Sequence, residues 1–116
     1  QVFDTNGKLL AIWDDLMMPW GLWITADDTI WVCGSSRVRK SDGTGWQVAP
    51  PPDQLLVKLD RNGKVLQRAS LPKIASLPGK AGEVSWVHDI ALDSQRAVYL
   101  GDIEGKRAQK FTIPKP

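Results

Sequence analysis

The chain has 116 residues, is 42% hydrophobic and 24% charged, and carries a formal net charge of +2 at pH 7. This length allows one small domain, and the composition is typical of a folded globular protein and not of a disordered one. The weak positive charge is spread along the chain apart from one short basic cluster, which argues against a nucleic-acid partner. No apolar run reaches the roughly 18 residues of a membrane-spanning helix, so no membrane span is predicted.

The cysteine, histidine and tryptophan contents are informative. Cys33 is the single cysteine and His88 the single histidine. The chain therefore forms no internal disulfide and no zinc site made wholly from its own residues. The six tryptophans are large flat side chains that suit the gaps between packed sheets; they are Trp13, Trp20, Trp23, Trp31, Trp46 and Trp86.

The first predicted element is a strand, turn and strand at residues 3–10, and the same pattern recurs at residues 59–66. Each copy carries Asn-Gly at its centre, first as Asn6-Gly7 and then as Asn62-Gly63. Asn-Gly is the strongest short hairpin signal, because a type I′ turn needs positive φ at both central residues. The sequence predicts two hairpins with turns of this type.

A second repeated unit occupies residues 21–32 and recurs at residues 89–100. Both copies consist of a short apolar strand, a polar turn containing aspartate and an apolar-aromatic strand, which is typical of buried β-structure. Equivalent residues of the two copies are 68 positions apart. Subtracting the extra length of the two long insertions leaves about 40 residues, the size of a compact four-stranded propeller blade.

These repeats predict an all-β fold, a meander of nine antiparallel strands without a helix. In the propeller interpretation, four-stranded blades form part of a ring. Residues 1–13 end one blade, residues 19–71 form a second with an insertion at 36–53, and residues 87–113 begin a third. An ordinary meander or half-sandwich is the alternative. A partial ring leaves strand edges open, so we expect pairing with the rest of the ring or self-association.

Propeller geometry places the two long insertions, 36–53 and 72–87, on one face of the ring, where the innermost strands begin. Loops on a rigid scaffold are where binding groups are usually found. The candidate ligand-binding residues are Trp20, Arg37, Arg39, Trp46, Trp86, His88 and Asp89. For the basic members of this set, a solvated edge is the more common role.

The stretch 87–111 begins Val-His-Asp-Ile-Ala-Leu-Asp and resembles the NHL repeat. That resemblance implies a propeller, six-bladed when complete. The chain is also similar to bacterial propellers related to the peptidyl-α-hydroxyglycine α-amidating lyase. There, a histidine at the start of an inner strand is a zinc ligand, and His88 matches its position. Ile103, directly after Asp102, stands where the lyase has its catalytic arginine, which weighs against lyase chemistry.

Three functions are compatible with this sequence. The first hypothesis is an exported NHL-type propeller, secreted or periplasmic in a bacterium, that binds a small molecule, peptide or glycan on the face carrying loops 36–53 and 72–87. The second is a zinc-dependent enzyme like the amidating lyase, with His88 as one metal ligand; calcium is the alternative metal. The third is a non-catalytic scaffold for protein interactions. No catalytic residue is assigned.

Overall fold

A computed structural model describes residues 1–14, 16–40, 42–47 and 51–112. These residues form eleven strands and no helix, and therefore no helix long and apolar enough to cross a membrane. The prediction of an all-β fold is confirmed. The strands are β1 (Val2–Phe3), β2 (Leu9–Ala11), β3 (Met18–Ile24), β4 (Ile30–Ser35), β5 (Val38–Arg39), β6 (Trp46–Gln47), β7 (Leu55–Leu59), β8 (Val65–Ser70), β9 (Val87–Leu92), β10 (Ala97–Asp102) and β11 (Arg107–Thr112).

The strands form four antiparallel sheets. Strands β3, β4, β7 and β8 make a four-stranded sheet in that order, and β9, β10 and β11 make a three-stranded sheet. The pairs β1–β2 and β5–β6 are separate two-stranded ribbons. All nine predicted strands are present in the described residues. The β5–β6 ribbon adds two strands inside the insertion 36–53, where sequence reasoning placed none.

The two Asn-Gly hairpins form, but the predicted type I′ turn is wrong. Positive φ is confined to the glycines, +82° at Gly7 and +83° at Gly63, and neither preceding asparagine adopts it. The Asp4 carboxylate explains the difference, because its Oδ1 accepts hydrogen bonds from the backbone N–H groups of Asn6 and Lys8. A side chain that bonds its own turn in this way favours a type I turn followed by a left-handed glycine.

The same turn is built at four places within the described residues. In each, the carbonyl of the first residue accepts the N–H three residues later, and its own N–H donates to the carbonyl four residues later. The first residues are Asp4, Thr25, Asp60 and Asp93. The left-handed position is glycine in the two Asn-Gly copies, but it is Asp28 and Arg96 in the turns that begin at Thr25 and Asp93.

The main core lies between the two larger sheets. Trp31 and Cys33 from β4 pack with Val87 and Ile90 from β9 and with Leu100 from β10. The opposite face of the four-stranded sheet is covered by side chains of the segment between β2 and β3. Strand β4 is therefore buried along its whole length.

Both long insertions leave the sheets at the end where β3 and β9 begin. The register pairs Met18 with Ser35 and Leu55 with Ser70, so the start of β3, the end of β4, the start of β7 and the end of β8 lie together. A hydrogen bond from the Val87 N–H to the Gln54 side chain places the start of β9 at the same end. This agrees with the predicted common location of the insertions.

Candidate functional site

Three aromatic side chains meet where β3 and β9 begin. The ring centroids of Trp20 and Trp86 are 5.5 Å apart, with an interplanar angle of 73°. The His88 imidazole lies 5.3 Å from the Trp20 ring and 6.3 Å from the Trp86 ring. Rings at these separations attract one another through their quadrupoles. Trp20, Trp86 and His88 are called the aromatic cluster below.

The cluster exists because β3 and β9 approach each other closely at Gly21. A Cβ at this position would lie 2.9 Å from the Cα of Asp89 and 3.0 Å from the Sγ of Cys33. Glycine is the one residue that leaves room for the backbone of a neighbouring strand at this distance. The close approach brings Trp20, directly before Gly21, against His88, directly before Asp89.

A buried carboxylate holds Trp86 in place. Asp102 is 3% exposed, and its carboxylate accepts hydrogen bonds from the backbone N–H groups of Ser85, Trp86 and Gly105 at 2.8–3.0 Å. The Trp86 carbonyl in turn accepts the Ile103 N–H at 3.0 Å. Both the N–H and the carbonyl of Trp86 are therefore hydrogen-bonded, which fixes its backbone.

Two further side chains join the insertion 36–53 to the cluster. Gln54 is buried, its Oε1 accepting the Val87 N–H at 2.6 Å and its Nε2 donating to the Asp53 carbonyl at 2.5 Å. The Asp53 carboxylate accepts both the N–H and the hydroxyl of Ser36 at 2.6 Å. The base of the insertion is therefore closed and linked to the strand that carries His88.

The cluster offers one exposed polar ring beside two largely apolar ones. His88 is exposed, whereas the indole Nε1 atoms of Trp20 and Trp86 are buried and have no hydrogen-bond partner in the part of the chain that the structure describes. A neutral imidazole donates through one nitrogen and accepts through the other. This arrangement is suited to stacking a flat or apolar group while bonding one polar atom of a ligand.

The described residues do not make a zinc site by themselves. A zinc site takes three or four ligands from Cys, His, Asp and Glu. Residues 1–14, 16–40, 42–47 and 51–112 contain no group of three such side chains close enough to hold a metal ion. The rings beside His88 are indoles, which do not ligate zinc. A metal on His88 would need its other ligands from outside these residues.

Cys33 lies beneath the cluster as part of the core. Its side chain is fully buried, and this burial raises the pKa of the thiol to about 11. A thiol with so high a pKa is not a reactive thiolate at neutral pH. Cys33 acts as a small buried apolar residue of the core.

The remaining predicted site residues take no part in the contacts among the three rings. Asp89 is exposed and lines an open depression of about 500 Å³ together with His88, and its Oδ1 accepts the N–H of Ile90. Arg37 is exposed and precedes β5. Arg39 and Trp46 are paired in the backbone register of the β5–β6 ribbon, and their side chains fall outside the described part of the structure.

Sequence reasoning missed the residues that position the cluster. Gln54 carried one signal, a polar amide directly before an apolar strand. Gly21 carried another, a glycine at the start of a strand predicted to be innermost, where a close backbone approach is expected. Asp102 was noted only in the family resemblance, and its three backbone partners come from loops whose paths are decided by the tertiary structure.

Comparison of this chain with protein-family models, with curated proteins and with solved structures found no match. The likeness to the NHL repeat therefore rests on the residues quoted above.

Proposed function

We propose that this chain supplies neighbouring blades of an NHL-type β-propeller, six-bladed when complete. The four-stranded and three-stranded sheets are antiparallel meanders in chain order, as blades are. Their first strands approach most closely, at Gly21. Farther out, a cavity of about 180 Å³ lies between Leu56 and Ala69 of one sheet and Phe111 of the other. Sheets that touch at their first strands and diverge outward are expected of blades around an axis.

Within that ring, the face bearing the insertions 36–53 and 72–87 binds a small molecule, a peptide or a glycan. The observation that carries this proposal is the aromatic cluster, where two tryptophans and the single histidine meet beside the bases of both insertions. Aromatic side chains with one polar handle supply much of the affinity in binding sites.

The second insertion is preformed and does not need to be ordered by a ligand. The Arg107 guanidinium donates to the carbonyls of Gly79, Lys80 and Glu83. The Gln109 side chain accepts the Gly82 N–H and donates to the Glu83 carbonyl. Because these hydrogen bonds already order the insertion 72–87, the entropy cost of binding a ligand against it is lower.

The indole N–H signals of the tryptophans give a direct test by two-dimensional NMR of the nitrogen-15-labelled chain. The probes are N-acetylated tripeptide amides, methyl pyranosides and small aromatic carboxylates, titrated as three separate sets. We expect one set to shift the indole signals of Trp20 and Trp86, and His88→Ala to weaken this binding about tenfold, the effect of losing one good hydrogen bond with its stacking contact.

Trp13→Phe is the matched control, because Trp13 packs on the opposite face of the four-stranded sheet. It should bind the same probes as the unmodified chain. Absence of any shift at Trp20 and Trp86 in a folded sample would overturn the proposal. Metal analysis adds a second arm: about one zinc per chain that disappears in His88→Ala would replace the binding proposal with the lyase-like one.

A further inference from the structure

A second concave site lies at the other end of β3 and β9, away from the aromatic cluster. It is a cleft of about 390 Å³ between the turn that begins at Thr25 and the turn that begins at Asp93. This volume is within the range of ligand pockets, roughly 300–1,000 Å³. It is called the turn cleft below. The lining residues that carry the argument are Trp23, Asp27, Trp31, Lys58, Asp93 and Arg96.

The apolar part of the turn cleft contains an indole that solvent reaches. Trp23 is 40% exposed, whereas Trp31 is buried and has the Lys58 ammonium 5.4 Å from its ring centroid. Leu92 and Ile24 also contribute to the lining. An exposed indole in a concave site offers a flat face on which an apolar surface can stack.

In the polar part, the charges of Asp27, Asp93 and Arg96 are paired, and the Lys58 ammonium lies over the Trp31 ring. The Arg96 guanidinium reaches across the cleft to within 3.3 Å of the Asp27 carboxylate. The Asp93 carboxylate accepts the Tyr99 hydroxyl at 3.0 Å and lies 3.5 Å from the Lys110 ammonium. Hydrogen bonds lower the pKa of both carboxyl groups, chiefly from the Thr25 hydroxyl for Asp27 and from the Ala97 N–H for Asp93.

This pairing selects the class of ligand. A charged ligand that binds at Arg96, Asp27 or Asp93 would have to displace one member of an existing ion pair. A neutral ligand with several hydroxyl groups can donate to the carboxylates and accept from the guanidinium without separating them. The ligand therefore needs one apolar face and a rim of hydroxyl groups, which describes a pyranose ring.

Arg96 has an unusual backbone conformation for a residue with a long side chain. It sits at φ +66°, a left-handed conformation that side-chain-bearing residues rarely adopt. The same position in two of the other turns is glycine, Gly7 and Gly63. Strain of this kind persists where the surrounding structure or the function requires the side chain. Here it directs the guanidinium over the cleft.

We propose that the turn cleft binds a neutral saccharide, with a pyranose ring stacked on Trp23 and its hydroxyl groups bonded to the Arg96 guanidinium and the Asp27 carboxylate. The site is separate from the aromatic cluster, since the two lie at opposite ends of β3 and β9. It does not depend on the function proposed for that cluster.

The test is a titration of the labelled chain with single methyl pyranosides of the gluco, galacto, manno, xylo and fuco series, followed by NMR. We expect one of them to shift the Trp23 indole signal with a dissociation constant on the order of 1 mM. Arg96→Gly should weaken that binding about tenfold, and Trp23→Ala at least as much. Arg96→Gly relieves the left-handed strain, so it should fold at least as well as the unmodified chain.

Asp28→Gly is the matched control, because it relieves the same strain in the equivalent turn and does not line the cleft. It should leave the dissociation constant unchanged. Trp20→Phe separates this site from the aromatic cluster and should also have no effect. Binding that survives both Arg96→Gly and Trp23→Ala, or no response of Trp23 to any pyranoside, would overturn the proposal. So would displacement of the pyranoside by sodium sulfate or spermidine.

Discussion

The two larger sheets share their local construction and differ in what covers them. Each contains a hairpin whose turn uses the same backbone hydrogen bonds, beginning at Thr25 in the four-stranded sheet and at Asp93 in the three-stranded sheet. Strand β4 is buried along its whole length, whereas its counterpart β10 has exposed and intermediate positions. Turn chemistry is local, but burial depends on the neighbouring layer.

One pair of contacts makes this difference clear. Lys58 lies 5.4 Å from the ring centroid of Trp31, and Lys110 lies 5.3 Å from that of Tyr99, at equivalent positions of the two sheets. Trp31 is 6% exposed and Tyr99 is 36% exposed. The same cation–π arrangement forms with and without a sheet packed on it, so it is a property of the strands themselves. In the proposed ring, a further blade would cover Tyr99.

The largest expected effect on stability concerns the C-terminal ends of β4 and β10. Asp102 closes β10, whereas the equivalent residue of the four-stranded sheet is Gly34, where a Cβ would lie 2.0 Å from the Met18 carbonyl oxygen. Asp102→Ala leaves three backbone N–H groups without their acceptor, and we expect a loss of about 3 kcal/mol in the free energy of unfolding. Urea denaturation followed by tryptophan fluorescence measures it.

Asp102→Asn is the control for Asp102→Ala, because the amide oxygen can still accept part of these bonds while the charge is removed. It should cost less than the alanine variant. Equal losses in the two variants would mean that the negative charge, and not the number of acceptors, stabilises this loop. A loss below about 1 kcal/mol in both would contradict the role given to Asp102.

The second prediction compares the two Asn-Gly hairpins. Gly63 and Gly7 have nearly the same φ, but a Cβ on Gly63 would lie 2.6 Å from the Trp13 ring, whereas one on Gly7 meets nothing within 4 Å. Gly7→Ala should cost about 1 kcal/mol from backbone strain alone. Gly63→Ala should cost about 3 kcal/mol, because it also displaces Trp13 from the sheet.

Thermal unfolding of the two alanine variants beside the unmodified chain measures this difference. Trp13→Ala combined with Gly63→Ala is the control, since removal of the ring should make the Gly63 substitution as mild as that of Gly7. Similar losses for the two single variants would show that the Trp13 contact has no energetic weight.

The smallest effect on stability is expected for alanine substitutions at Gly21, on the first strand of the four-stranded sheet, and at Gly101, on the second strand of the three-stranded sheet. Gly21→Ala places a methyl group against the backbone of β9 and should cost about 2 kcal/mol through overpacking. Gly101→Ala meets only the Asp89 Cβ, at 3.7 Å, and should change stability by no more than about 0.5 kcal/mol. Chemical denaturation of both variants provides the comparison.

A Gly101→Ala variant as damaging as Gly21→Ala would indicate that another layer packs on the three-stranded sheet in solution, by self-association for example. Sedimentation of the same sample would then identify the associated species. The proposed ring makes the related prediction that Gly101→Ala becomes destabilising in a longer protein whose next blade covers this face.

Much of the fold could be predicted because its signals are short-range. Alternating apolar residues, Asn-Gly pairs and a turn-initiating aspartate act within a few positions, and they place the nine strands in the correct order. The turn type was mistaken because the Asp4 and Asp60 carboxylates bond their own backbone, which changes the preferred conformation of Asn-Gly. The β5–β6 ribbon was missed because its two-residue strands belong to neither repeated unit, whereas the equally short β1 belongs to the first Asn-Gly hairpin.

By itself the sequence determined the all-β class, the repeated hairpins, the positions of Trp20 and His88 at the starts of strands and that of Trp86 in the second insertion. Only the tertiary structure decided that these rings touch, because that depends on the absence of a side chain at Gly21 and on the bonds of Gln54 and Asp102 to distant backbone groups. It also decided that Arg96 and Asp27 face each other across a cleft. Such contacts join residues far apart in the chain, where packing of one sheet on another, and not local preference, sets the distance.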